Sequence, residues 1–136
     1  LDGDTGEVLE TDNQLTRVRL AGIDAPEKSQ PFGQRSRQAL ASMVAQRTVT
    51  VTGTDMDRYG RLLGTVWLGK ADVNAAQIRN GLAWAYRFHG KAIRDDYVTL
   101  EDEARRQATG LWSVAGQTEP WRWRSLHQGT ALSNSE

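Results

Sequence analysis

Three short segments of the chain carry polar residues that neither a core nor an ordinary loop requires. They are Leu1-Asp2-Gly3-Asp4-Thr5, then Arg19-Leu20-Ala21-Gly22-Ile23-Asp24-Ala25-Pro26-Glu27, then Asp55-Met56-Asp57-Arg58-Tyr59-Gly60-Arg61. Asp4 and Asp24 both stand next to turns and offer the hard carboxylate oxygens that Ca²⁺ prefers. Asp24 lies at a strand end just before Pro26, which leaves the backbone C=O of Ala25 free to turn outward as a third oxygen ligand. Asp2 fits the outer shell, holding metal-bound water. Arg19 sits inside a strand pattern whose neighbours Val18 and Leu20 point the other way, and Arg61 follows a glycine in a polar turn. Two planar guanidinium forks beside a metal ion are suited to the charge that builds on the oxygens of a phosphate ester under attack. Glu27 would activate or orient the attacking water. Each residue also has a plain structural account. Asp-Gly is a common turn, Asp before x-Pro is a common loop entry, and Glu27 would suit the first turn of a helix.

The elements that must position these groups can be read from periodicity. Arg47 to Thr54 alternates, with Val49 and Val51 on one side and Thr48, Thr50 and Thr52 on the other. Leu15 to Ile23 reads as a strand, joined by a polar turn at 11–14 to a shorter one around Gly6 to Glu10. Another strand is expected from Arg61 to about Leu68, and a short one near Leu82 to Phe88. Helical spacing places Leu40, Met43 and Val44 on one side of Gln34 to Gln46. Asp72 would cap a brief helix that Gly81 stops. Tyr97, Leu100, Ala104, Ala108 and Leu111 recur at helical steps, with Gly110 where that helix should end. Short strands with helices inserted late predict a small α+β domain over 1–113, with a five-stranded barrel as its closed form and about three helices. Residues 114–136 read as a partly irregular extension with a polar end, its Trp121 and Trp123 packing back on the domain or, with Arg122 and Arg124, clasping a nucleic acid strand.

Composition narrows the partners only a little. Lys+Arg and Asp+Glu both number 17, so net charge exerts no bulk pull on nucleic acid. Cysteine is absent, which removes disulfides, thiolate metal sites and cysteine nucleophiles. No apolar run is long enough to cross a bilayer, so no membrane partner is expected. His89 and His127 are isolated and read as surface residues.

The pattern Asp-Gly-Asp-Thr (2–5), Arg-Leu-x-Gly-Ile-Asp-x-Pro-Glu (19–27) and Asp-x-Tyr-Gly-Arg (57–61) resembles the staphylococcal nuclease (thermonuclease) family. Val73-Asn74, Asn80-Gly81-Leu82-Ala83 and Gly110-Leu111-Trp112-Ser113 look like the same family's helices, so the likeness spans about Leu1 to Ser113. It implies an OB-fold barrel and Ca²⁺-dependent hydrolysis of DNA and RNA, single-stranded or locally melted, to 3′-phosphate products. It also implies catalytic roles for Arg19, Glu27 and Arg61, with Asp4, Asp24 and the Ala25 carbonyl on the metal. Arg58 and Tyr59 resemble the family's pair beside the terminal phosphate and sugar, and Tyr86 aligns with a tyrosine of the nucleotide pocket. Two positions depart from the pattern. Ala25 replaces a usual threonine, and Phe88 stands where a second tyrosine is common, so stacking on a base persists while a hydroxyl contact is lost. The family has a full strand before the first motif, whereas this sequence opens directly on it. A truncated first strand, or a strand exchanged with another copy of the chain, is therefore expected. Export to the outside or the periplasm follows by family analogy alone. The rival reading is a non-catalytic OB module that binds nucleic acid or protein.

Overall fold

The computed structural model describes residues 2–10 and 12–135. Its first hairpin pairs β1 (Thr5–Leu9) with β2 (Leu15–Leu20) in the antiparallel register Thr5↔Arg19 to Leu9↔Leu15. Thr11 of the expected turn lies outside the described residues; Asn13 turns the chain at φ 65°, a left-handed conformation that asparagine tolerates. The strand expected to run on to Ile23 breaks after Leu20. Gly22, at φ 80°, turns the chain into the two-residue strand β3 (Ile23–Asp24).

The helix α1 (Gly33–Val44) follows, burying Leu40 with Met43 and Val44 partly covered. Next come β4 (Thr50–Thr52) and β5 (Leu62–Leu68), then β6 (Ala71–Asp72) and α2 (Val73–Arg79). β4 keeps the expected alternation, with Val51 half-buried between exposed Thr50 and Thr52. The Asp72 carboxylate caps α2 by accepting from the Ala75 N–H at 2.9 Å. The segment expected as one strand near 82–88 divides into β7 (Trp84–Ala85) and β8 (Arg87–Phe88), and β8 pairs with β9 (Lys91–Ala92).

The third helix, α3 (Asp95–Arg106), has aspartates in its first turn and arginines in its last, as the helix dipole favours. It ends earlier than the Ala108–Leu111 periodicity implied. Ala108 adopts φ 52°, and Leu111 reaches the core from a 3₁₀ turn at Gly110–Ser113. Residues 114–119 lie in turns and irregular chain, but Pro120–Ser135 forms a helix, α4, opened by a buried proline at its first position.

The main sheet has five strands in the order β1-β2-β5-β4, with β6 also on β5. The β2–β5 pairing is parallel, with Arg19 opposite Leu63. Among the described residues β1 and β4 do not pair, so the sheet stays open and the expected barrel is not closed. An apolar cleft of about 840 Å³ lies along the open side, lined among others by Val8, Leu40, Val44 and Val51. The core of Val18, Leu20, Ile23, Val66, Ile78 and Tyr97 fills the space between sheet and helices.

Buried polar side chains staple this core to the loops. Asn74 accepts from the Val66 N–H at 3.1 Å and donates to the carbonyls of Ala21 and Gly64 at 2.9 and 3.1 Å. Gln77 donates to the carbonyls of Gly3 and Ser36 at 2.7 and 3.0 Å. Such bonds satisfy backbone groups that water cannot reach.

Candidate active site

The β1 and β3 ends bring the first two motifs together. The Leu20 N–H donates to the Asp4 carbonyl at 2.8 Å, which fixes the chain just ahead of β1 against the end of β2. Gly3 lies so close to α1 that a Cβ there would meet the Ser36 hydroxyl at 1.9 Å. Only glycine lets the acidic loop lie down at this point. The Asp4 carboxylate is buried, accepts from the Ala25 N–H at 2.8 Å and from the Thr5 hydroxyl at 3.1 Å. That bond ties the Asp4 loop to the Asp24-Ala25 segment directly.

Arg19 reaches out of β2 between the two carboxylates. Its Nη2 lies 3.5 Å from Asp4 Oδ2 and 3.7 Å from Asp24 Oδ1, while Nη1 donates to the Leu20 carbonyl at 2.7 Å. Asp24 is wholly buried, and burial pushes its carboxyl above the usual range against the opposing pull of Arg124. Asp2 is pushed up to about 6, first by burial and then by the charges of Glu27 and Asp4. Its Oδ1 is buried without a hydrogen-bond partner. Asp4 and Asp24 thus flank the guanidinium from β2, while Asp2 lies within electrostatic reach of Asp4 and Glu27.

A second cation enters that the motifs did not announce. Arg124 of α4 forks onto Asp24, with Nη1 to Oδ1 at 3.0 Å and Nη2 to Oδ2 at 2.7 Å, and Nη1 also reaches Glu27 Oε1 at 2.8 Å. Its helix is held by Gln30, whose amide oxygen accepts from the Glu27 N–H at 3.1 Å and whose NH₂ donates to the Thr118 carbonyl. Trp121, one turn before Arg124, meets Trp84 edge to face at 6.4 Å. Trp84 is in turn the cross-strand partner of Asp24. The three-residue Trp121–Arg124 spacing was the signal available in the sequence, because it puts both side chains on one helix face.

The third motif is bonded chiefly within itself. Arg61 is held by Asp57, whose Oδ2 accepts from Nε at 2.7 Å and whose Oδ1 accepts from the Arg61 and Tyr59 N–H groups at 2.9 Å each. Among the described residues Arg61 forms its ion pair with Asp57, not with Asp4, Asp24 or Glu27. Arg58 and Arg61 lie over the exposed Tyr59 ring at 5.0 and 5.5 Å. The three form one polar-aromatic patch at the head of β5, the strand whose parallel pairing puts it beside Arg19. Tyr86 is half-buried and donates its N–H to the Gly22 carbonyl at 2.8 Å. Phe88 is exposed on the β8–β9 hairpin against His89.

The residues offer a cation an oxygen-only donor set, and Asp2 keeps a buried oxygen unpartnered, so hard-cation chemistry fits them. No three carboxylate or imidazole groups among the described residues converge on one point. Most of the coordination shell would come from water, backbone and substrate.

A model of the family described as "Staphylococcal nuclease homologue" matches residues 17–114. The chain is 53% identical over 133 residues to Protein ParB of Escherichia coli, covering 91% of this chain and 75% of that protein. It is 47% identical over 133 residues to a micrococcal nuclease of Shigella flexneri, covering 91% and 76%. An uncharacterized endonuclease of Escherichia coli O157:H7 is 46% identical over 127 residues, covering 91% and 80%. With motifs, paired carboxylates and relatives pointing the same way, the chain belongs to the staphylococcal nuclease family.

Proposed function

We propose that the chain is an endonuclease that hydrolyses phosphodiester bonds of DNA and RNA with the help of Ca²⁺. The observation that carries this reading is the Arg19 guanidinium poised between two buried carboxylates, 3.5 Å from Asp4 and 3.7 Å from Asp24. A site that only bound nucleic acid would have no need to gather buried negative charge where a phosphate must approach. Asp4, Asp24 and the Ala25 carbonyl would hold the cation, and Asp2 would hold its water. When bound, the cation would polarise the phosphate and neutralise the crowded carboxylates.

The chain's own residues perform the remaining steps. Glu27 orients a water for in-line attack on phosphorus and accepts its proton. Arg19, fixed by its bond to the Leu20 carbonyl, stabilises the charge on the equatorial oxygens. Arg61, held in reserve by Asp57, meets the departing oxygen from the adjoining strand. Arg58 and Tyr59 take the flanking phosphate and sugar, and Tyr86 and Phe88 offer rings to a base. Such stacking favours single-stranded or locally melted substrate, and 3′-phosphate products follow from departure of the 5′ oxygen. The five-stranded sheet is read as an OB-type arrangement whose closure the pairing of β1 with β4 would complete.

Cleavage of single-stranded DNA should be followed with Ca²⁺, with EGTA and with Glu27→Gln. The reading expects cleavage that chelation abolishes and that the substitution lowers by about a hundredfold or more. Cleavage indifferent to EGTA overturns the metal mechanism, and binding without cleavage supports the non-catalytic module instead.

A further inference from the structure

We propose that Arg124 and the divalent cation are alternative occupants of the Asp24 carboxylate, so that the chain carries its own competitor for the metal. This inference rests on the cation site proposed above. The Arg124 fork takes both oxygens of Asp24 and one of Glu27. A guanidinium and a divalent ion cannot share those oxygens at contact distance, because their charges repel at close range.

Burial explains why the site is never left empty. The Asp24 side chain is 0% exposed, so once ionised it needs a positive partner in every state. Arg19 does not suffice, since its closest approach to Asp24 is 3.7 Å and its other contacts are Asp4 and the Leu20 carbonyl. Arg124 supplies the missing charge with two direct hydrogen bonds. Its own side chain is 41% exposed, so it can withdraw into water without being stranded. Metal loading then becomes an exchange of one cation for another.

The docking of α4 is matched to this role. Trp121 and Arg124 share a helix face, and their targets Trp84 and Asp24 are cross-strand neighbours, so the aromatic contact delivers the guanidinium in register. The Gln30 link to Thr118 anchors the chain just before the helix. Arg124 lies more than a turn beyond that anchor, far enough to release while the helix start stays fixed.

Calcium chloride titrated calorimetrically into the full chain tests the exchange, with wild type, Arg124→Gln and Arg124→Lys compared and melting temperatures recorded with and without Ca²⁺. Arg124→Gln should bind Ca²⁺ about tenfold or more tighter, the factor expected when charged hydrogen bonds no longer compete. Arg124→Lys keeps the charge without the fork and should fall between. Without Ca²⁺, Arg124→Gln should melt below wild type, and Ca²⁺ should raise its melting temperature by the larger step. Equal or weaker Ca²⁺ binding by a folded Arg124→Gln overturns the competition while leaving the cation site standing. If circular dichroism shows Arg124→Gln unfolded, the Lys variant decides the same question. No heat and no thermal response in any of the three overturns the cation site itself.

Discussion

A single methyl group at position 3 should separate two glycines that lie close together in the sequence. A Cβ on Gly3 would sit 1.9 Å from the Ser36 hydroxyl and 2.9 Å from the Ser36 backbone carbon. Rotating the serine side chain cannot clear the backbone contact, so the acidic loop itself must lift by about 1 Å or more to restore ordinary contact distances. That movement also breaks the 2.7 Å bond from Gln77 to the Gly3 carbonyl. Overpacking of this kind costs about 1–3 kcal/mol, and a lost buried hydrogen bond adds about 1 kcal/mol. Gly3→Ala should therefore lose about 2–4 kcal/mol in urea unfolding. Gly6→Ala is the control: its Cβ would meet nothing within 4 Å, and its φ is not in the left-handed region. It should be neutral or stabilising by under about 1 kcal/mol. The two variants should differ in cleavage as well, because displacing Asp2 and Asp4 by about 1 Å lowers turnover by about a hundredfold. Equal stability of Gly3→Ala and Gly6→Ala would refute the close approach of the acidic loop to α1.

Two further variants probe the supports of the site. Asn74→Asp keeps the acceptor for the Val66 N–H but sets an oxygen against the carbonyls of Ala21 and Gly64, with a charge in a buried place. It should lose about 3 kcal/mol or more at pH 8 and recover part of that at pH 5, where a protonated carboxyl can donate; urea melts at the two pH values check both statements. Asp2 has a folded pKa of about 6 against an ordinary value of 3.8, so between those values the native state keeps a proton that the unfolded chain releases. Stability from this group is full below about pH 4 and falls as pH rises through 6. Without Ca²⁺, the melting temperature of Asp2→Asn should match wild type at pH 4 and exceed it above pH 6; an equal difference at every pH would contradict the burial of Asp2 beside Glu27 and Asp4.

Local pattern made much of the molecule legible. Alternation at Val49 and Val51, the Asp72 cap and the three ordered motifs each depend on residues a few positions apart, which is the range over which backbone geometry imposes a period. The bond from the Ala25 N–H to Asp4 was not readable, because its partners are 21 residues apart; the motifs' order suggested only that the two segments meet. Arg124 was readable as a candidate nucleic-acid contact, but not as the partner of Asp24. It meets Asp24 across 100 residues, and its helix lacks the apolar stripe that betrays an amphipathic segment, although Pro120 marks its start. The matched family region also ends at 114, before α4 begins. Arg61, which the motif groups with the acids, forms its ion pair with Asp57 from its own loop.

The cluster of three tryptophans centred on Trp84 has an optical consequence. Trp84 meets Trp112 edge to face at 5.1 Å and Trp121 at 6.4 Å, and one of these partners moves only with α4. Indoles at such separations couple their transitions, so the near-ultraviolet dichroism and the emission of the chain act as a built-in gauge of whether the last helix is seated.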